Sequence, residues 1–86
     1  MAHYVGIFLP VESGGWQAII PDVPGCRVEG PSLDKTVFVA AAALTRLVRV
    51  EAEPVPQPRD LSEIKADPTI EVDWDKAVVT MIPLWA

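Results

Sequence analysis

Cysteine and histidine are almost missing from this chain of 86 residues, which carries one of each, Cys26 and His3. A lone cysteine cannot close an intrachain disulfide, and neither residue has the spaced Cys or His companions of a zinc site. The pattern fits a reducing compartment, the cytoplasm, and implies no metal or cofactor. Basic side chains are scarce as well: seven Lys and Arg stand against twelve Asp and Glu, a formal net charge of −5. Nucleic-acid affinity rests largely on Lys and Arg neutralising phosphates, so direct DNA or RNA binding by this chain is not expected. No apolar run nears the ~20 residues of a membrane span, and no basic segment leads into an apolar signal core. Low-complexity tracts, like-charge blocks and internal repeats are absent too, which argues against a disordered chain. A soluble, unexported globular protein is the expectation.

What is present is apolar: hydrophobic residues make up 50% of the chain. The length suits one small domain over residues 1–86. A domain of this size buries only about 60–65% of the surface its unfolded chain exposes, so its stability margin is thin. The charge is uneven. Residues 1–50 balance four acids against four bases, whereas residues 51–86 hold eight acids against Arg59, Lys65 and Lys76. All of the net charge lies in that second part, which suits a basic protein partner or simply solubility.

The stretch HYVGIFLP (3–10) is rich in β-branched and aromatic residues, VESGG supplies a turn, and WQAIIP (16–21) follows as the second arm of a hairpin. A bend, PDVPG, leads into a third short strand, CRVEG (26–30). The period then changes. Ser32 is a candidate N-cap, Asp34 puts negative charge in the first turn, and Leu33, Val37, Ala41, Leu44 and Val48 recur at spacings of three and four. These predict a helix over about 32–52, in which four consecutive alanines allow close approach to a sheet. Proline at every second position from 54 to 58 makes residues 53–60 a stiff extended connector. A short helix is predicted over 61–68, then a final strand within KAVVTMIPLW (76–85), apolar on both sides as for a central or parallel strand. The predicted class is α+β in the order β-β-β-α-β: a three-stranded antiparallel meander with the long helix on one face. A direct crossover would lay the final strand parallel to the first.

Alternation along the first strand sets Val5, Ile7 and Leu9 on one side and Tyr4 and Phe8 on the other. One helix covers one face, so only the short 61–68 helix and the connector remain to cover an apolar second face, and an open apolar face marks association. Tyr4, Phe8, Trp16, Phe38, Trp74 and Trp85 are the candidate interface residues, tryptophan being enriched at contacts. Core packing is the competing reading, and the favoured one for Trp16. Arg46 and Arg49 fall on the solvated side of the helix.

Within the bend, Asp22 and Cys26 raise the question of chemistry. A nucleophilic cysteine wants a base close by, and the only histidine stands near a chain terminus. A structural turn is the better reading: Pro21 and Pro24 fix φ, Asp22 accepts a nearby backbone N–H as an Asx-turn, and Gly25 takes positive φ. Asp22, Glu29 and Asp34 as a two-metal nuclease set would need carboxylates on neighbouring strand and helix positions. Glu71, Asp73 and Asp75 alternate and would share one face, as a weak calcium site or, preferably, a solvated acidic edge.

Taken together, GWQAIIPDVPGC, the small-residue helix SLDKTVFVAAAAL, the connector EPVPQP with EIKADP, and AVVTMIPL resemble the HicB-like antitoxin domain of type II toxin–antitoxin systems, over nearly the whole chain. The resemblance implies a partial RNase-H-like fold without nuclease activity. It also implies a non-enzymatic protein that binds and occludes a small basic mRNA-cleaving toxin of the HicA type, and that forms homodimers or homotetramers. Many such proteins add a C-terminal DNA-binding segment; residues 1–86 show none, so promoter binding by this chain is not expected. The helix start, SLDKTVFV, departs from the family's more usual glutamate-rich start and leaves Phe38 on an apolar outer surface. The alternatives are an orphan self-associating domain and, least favoured, a residual metal-dependent nuclease.

Overall fold

The computed structural model describes residues 3–23, 25–50 and 57–83, with side chains through Val48 at the end of the long helix. Pro24, Trp85 and residues 53–56 of the connector therefore lie outside the described residues. Four strands and two helices follow in the order β1 (His3–Pro10), β2 (Trp16–Ile19), β3 (Arg27–Gly30), α1 (Leu33–Val50), α2 (Leu61–Lys65) and β4 (Val78–Pro83). The strands form one sheet in the order β3-β2-β1-β4, and every neighbouring pair is antiparallel. The class is α+β, as the sequence indicates.

One expectation gives way here. β4 pairs antiparallel with β1, with His3 opposite Pro83 and Phe8 opposite Val78, and it forms an edge of the sheet rather than its centre. The crossover from α1 is not direct. Residues 57–77 take the chain past the far face of the sheet before β4 begins, and that excursion reverses the direction of entry.

α1 starts where local chemistry dictates. The Ser32 hydroxyl accepts the Lys35 N–H at 3.3 Å, and the buried Thr36 returns its own hydroxyl to the Ser32 carbonyl at 2.6 Å. The chain crowds at this point: a Cβ on Gly30 would meet Thr36 Oγ1 at 2.5 Å and Thr36 N and Cα at 3.2 Å, so only glycine lets β3 run into the helix. Tyr4 and Phe8 of β1, Ala18 of β2 and Ile82 of β4 meet Ala40, Ala41, Leu44 and Val48 of α1 in one core. The small Ala40 and Ala41, 0% and 4% exposed, bring the helix close to the strands.

The opposite face is covered as well: the short helix left to cover it does so together with the residues after it, and the face is not open. Val5 and Ile7 of β1 are 1% and 0% exposed beneath Ile64 of α2, joined by Leu61, Ile70, Val72, Trp74 and Ala77. α2 is only five residues long, yet Asp60 caps it fully. Its carboxylate accepts the Glu63 N–H at 2.9 Å while Glu63 Oε1 accepts the Asp60 N–H at 3.4 Å, a reciprocal capping box. The segment 70–74 alternates without being a strand: Ile70, Val72 and Trp74 pack inward, whereas Glu71 and Asp73 face solvent. Both faces of β4 are apolar because each meets a separate layer, Ile82 the helix and Val79 the cover.

Candidate functional site

Tyr4 and Phe8 are core residues at 0% exposure under α1, so the structure removes both from the candidate contact surface. Trp16 is half-buried at the edge of the same core, and Trp74 is half-buried in the cover, where Lys65 Nζ stands 5.4 Å from its ring centroid. Phe38 alone of the described candidates is widely exposed, at 66%.

The bend after β2 is tightly closed. Ile20 N–H donates to the Cys26 carbonyl at 3.1 Å, Val23 N–H to that of Ile20 at 3.0 Å, and Cys26 N–H to that of Val23 at 3.0 Å. Gly25 has φ +85°, the left-handed conformation that favours glycine. Cys26 is a buried, free thiol whose pKa burial pushes upward. It is held as a thiol, the opposite of what a nucleophile needs.

Asp22 acts across the fold, not within its own turn. Its side chain, 5% exposed, accepts the backbone N–H of Arg59 at 2.6 Å and the Arg59 Nε–H at 2.5 Å. Arg59 then reaches Asp67 through Nη1 at 3.0 Å, and the other oxygen of Asp67 accepts the Thr69 N–H at 2.9 Å and its hydroxyl at 2.6 Å. The result is a clasp of three side chains that ties the end of the connector and the segment after α2 to the bend after β2. Hydrogen bonds to Asp22 first, and then to Asp67, raise the Arg59 pKa. Burial, followed by the Asp22 charge, raises that of Tyr4.

Asp67 is held down to about 2 from its ordinary 3.8, chiefly by Thr69 and then by Arg59. A carboxylate with a depressed folded pKa stabilises above its unfolded pKa, and the contribution fades as pH falls through the folded value. Melting temperatures of the natural chain and of Asp67→Asn are therefore expected to differ at pH 5 and to converge between about pH 4 and about pH 2. A gap that stays constant over that window would show that the clasp does not couple to folding.

Beside the clasp lies an open cleft of about 810 Å³, with apolar walls from Ile19, Ile20, Ile70 and Val72 and charges from Arg27 and Glu71 at its lining. The outer surface of the cover is acidic: Asp60, Glu63, Glu71, Asp73 and Asp75 are all exposed. Asp73 shapes a turn by accepting the Asp75 N–H at 3.1 Å. Among the described residues no group of three or more His, Cys, Asp or Glu is arranged to hold a metal ion. Asp22 is committed to Arg59, and Glu29 and Asp34 are exposed. Arg46 is exposed on α1 as expected. No described helix is long and apolar enough to cross a membrane.

The clasp was not visible in the sequence, because Asp22 and Arg59 are 37 residues apart with no periodicity between them. The start of α2 had a signal, since DLSE over 60–63 spells a capping box.

No family model matches the chain, and neither does any curated protein. Solved structures do. The Burkholderia pseudomallei antitoxin HicB superposes with a TM-score of 0.76 at 16% identity over 98% of this chain, which spans 64% of that protein. The N-terminal domain of the same antitoxin gives 0.76 at 15% identity, covering 99% of this chain and all of that one. A chain of the HicA3 and HicB3 toxin–antitoxin complex gives 0.70 at 18% identity, again covering 99% of this chain and all of that one. The chain has the fold of the HicB antitoxin N-terminal domain, the fold that the sequence resemblance implies.

Proposed function

We propose that this chain is a non-catalytic, antitoxin-like protein that neutralises a small toxin of the HicA type by binding it and masking its active site in the cytoplasm. The observation that carries the proposal is the likeness, end to end, to a chain of a toxin–antitoxin complex. Two features support it. The cover presents five exposed acids to a basic partner, and the adjoining cleft offers apolar walls to an inserted side chain or strand. The bend supplies no nucleophile, its cysteine being buried and protonated and its aspartate paired with Arg59.

Tagged protein recovered from its native host at moderate salt is expected to retain one small basic protein in stoichiometric amount, identified by mass and released as salt is raised. Charge reversal at Glu71 and Asp75, both exposed, is expected to weaken that retention without altering the fold. Recovery of the chain with copies of itself alone would overturn the antitoxin reading.

A further inference from the structure

Little that is polar joins the cover to the sheet. Among the described residues, the backbone hydrogen bonds made by 57–77 all run within that segment: Ala66 N–H donates to the Ser62 carbonyl at 3.1 Å, Asp67 N–H to that of Ile64 at 3.1 Å, Ile70 N–H to that of Asp67 at 3.2 Å and Lys76 N–H to that of Asp73 at 3.0 Å. Its side chains also bond within the segment, with one exception. Arg59 donates its backbone N–H and its Nε–H to Asp22. The rest of the hold is apolar, Ile64, Ile70, Val72 and Trp74 against Val5 and Ile7, and it is separate from the helix-side core of Tyr4, Phe8, Leu44 and Ile82. The open cleft of about 810 Å³ lies along this joint, lined by Ile19 and Ile20 on the sheet's side and by Ile70 and Val72 on the cover's.

We propose that the cover, residues 57–77, is a strap that opens as one unit while the sheet and α1 stay folded, with the Asp22–Arg59 pair as its latch. A segment whose hydrogen bonds close on themselves gives up only the latch and the apolar contact when it lifts, whereas unfolding β1 or α1 breaks a ladder of backbone bonds. α2 does not outlast its seat on the sheet, because a helix of five residues is not stable alone in water. Opening bares Val5 and Ile7 and carries the exposed Glu63, Glu71 and Asp75 away. One motion thus exchanges a charged surface for an apolar one. This inference does not depend on the antitoxin reading, since it concerns the chain by itself.

Hydrogen exchange of the full chain, followed amide by amide in low urea, tests the strap. The Arg59, Ala66 and Asp67 N–H groups are expected to share one opening, at least about tenfold more populated than the opening that frees the β1–β2 ladder and the interior of α1. Ala42→Gly, on the exposed side of α1, weakens the helix alone. It should speed the ladder and helix amides about fivefold and leave the three cover amides unchanged. Asp22→Ala removes the latch and should speed exchange at Ala66 and Asp67, whose own bonds it does not touch, at least about tenfold. The proposal falls if cover and ladder amides exchange through the same opening, or if the three cover amides open independently. It falls equally if Ala42→Gly speeds both groups alike, or if Asp22→Ala leaves Ala66 and Asp67 where they were.

Discussion

Ile64→Asp is expected to strip the cover from the sheet. Ile64 is the one buried residue of α2, at 0% exposure, and it seats that helix on Val5 and Ile7. A helix of five residues has no stability of its own in water, so its position depends on this contact and on the capping box. Truncation to alanine would cost about 2–5 kcal/mol, and a carboxylate placed there adds the penalty of burying a charge or of expelling the segment. A chain of 86 residues has a total stability of roughly 4–13 kcal/mol at the usual per-residue value. The substitution therefore removes a large part of it. Urea titration should show a sharply lower midpoint, and a dye that binds exposed apolar surface should light up as Val5 and Ile7 are uncovered. An unchanged midpoint would show that 61–77 contributes little to folding.

Phe8→Ala should cost about 3–5 kcal/mol, the usual range for emptying a fully buried phenylalanine site. Phe8 is 0% exposed in the core between β1 and α1, flanked by Ala18 and facing the alanine-rich stretch of the helix. Neighbours that are already small cannot swing in to fill the void, which puts the expected cost toward the upper end. For a domain of this size each 1 kcal/mol lowers the melting temperature by about 4–8 °C, so a fall of more than about 12 °C is expected. Phe38→Ala, at 66% exposure, is the matched comparison: the same atoms are removed from a surface, and stability should change by no more than about 0.5 kcal/mol. Similar losses for the two would contradict the assignment of Phe8 to the core.

The two phenylalanines also mark the boundary of what the sequence discloses. Alternation placed Tyr4 and Phe8 on one side of the first strand and Val5 and Ile7 on the other, and the structure keeps that division. Period alone could not say which side the helix would take, or that the remaining side would find cover. The cover came from residues read mainly for charge: Ile70, Val72 and Trp74 alternate with Glu71 and Asp73, the same alternation that marks a strand. Strand and helix positions followed local propensity and stood within a few residues of their expected ends. The direction of β4 and the Asp22–Arg59 pairing depend on the path of residues 57–77 through space. No local pattern encodes that path.

The place of β1 in the sheet has a consequence for how the fold is assembled in time. β1 is the first strand along the chain, and it lies between β2 and β4. Its pairing with β2 needs only the short loop at 11–15, so the hairpin and then α1 can gather soon after those residues leave a ribosome. The other edge of β1 waits for residues 78–83, whose Ile82 and Val79 complete the two apolar layers. Until then a nascent chain carries a bare strand edge on β1, the kind of intermediate that invites mispairing. Shortening the stretch from 51 to 77 would alter the order of these events as well as the direction in which β4 enters.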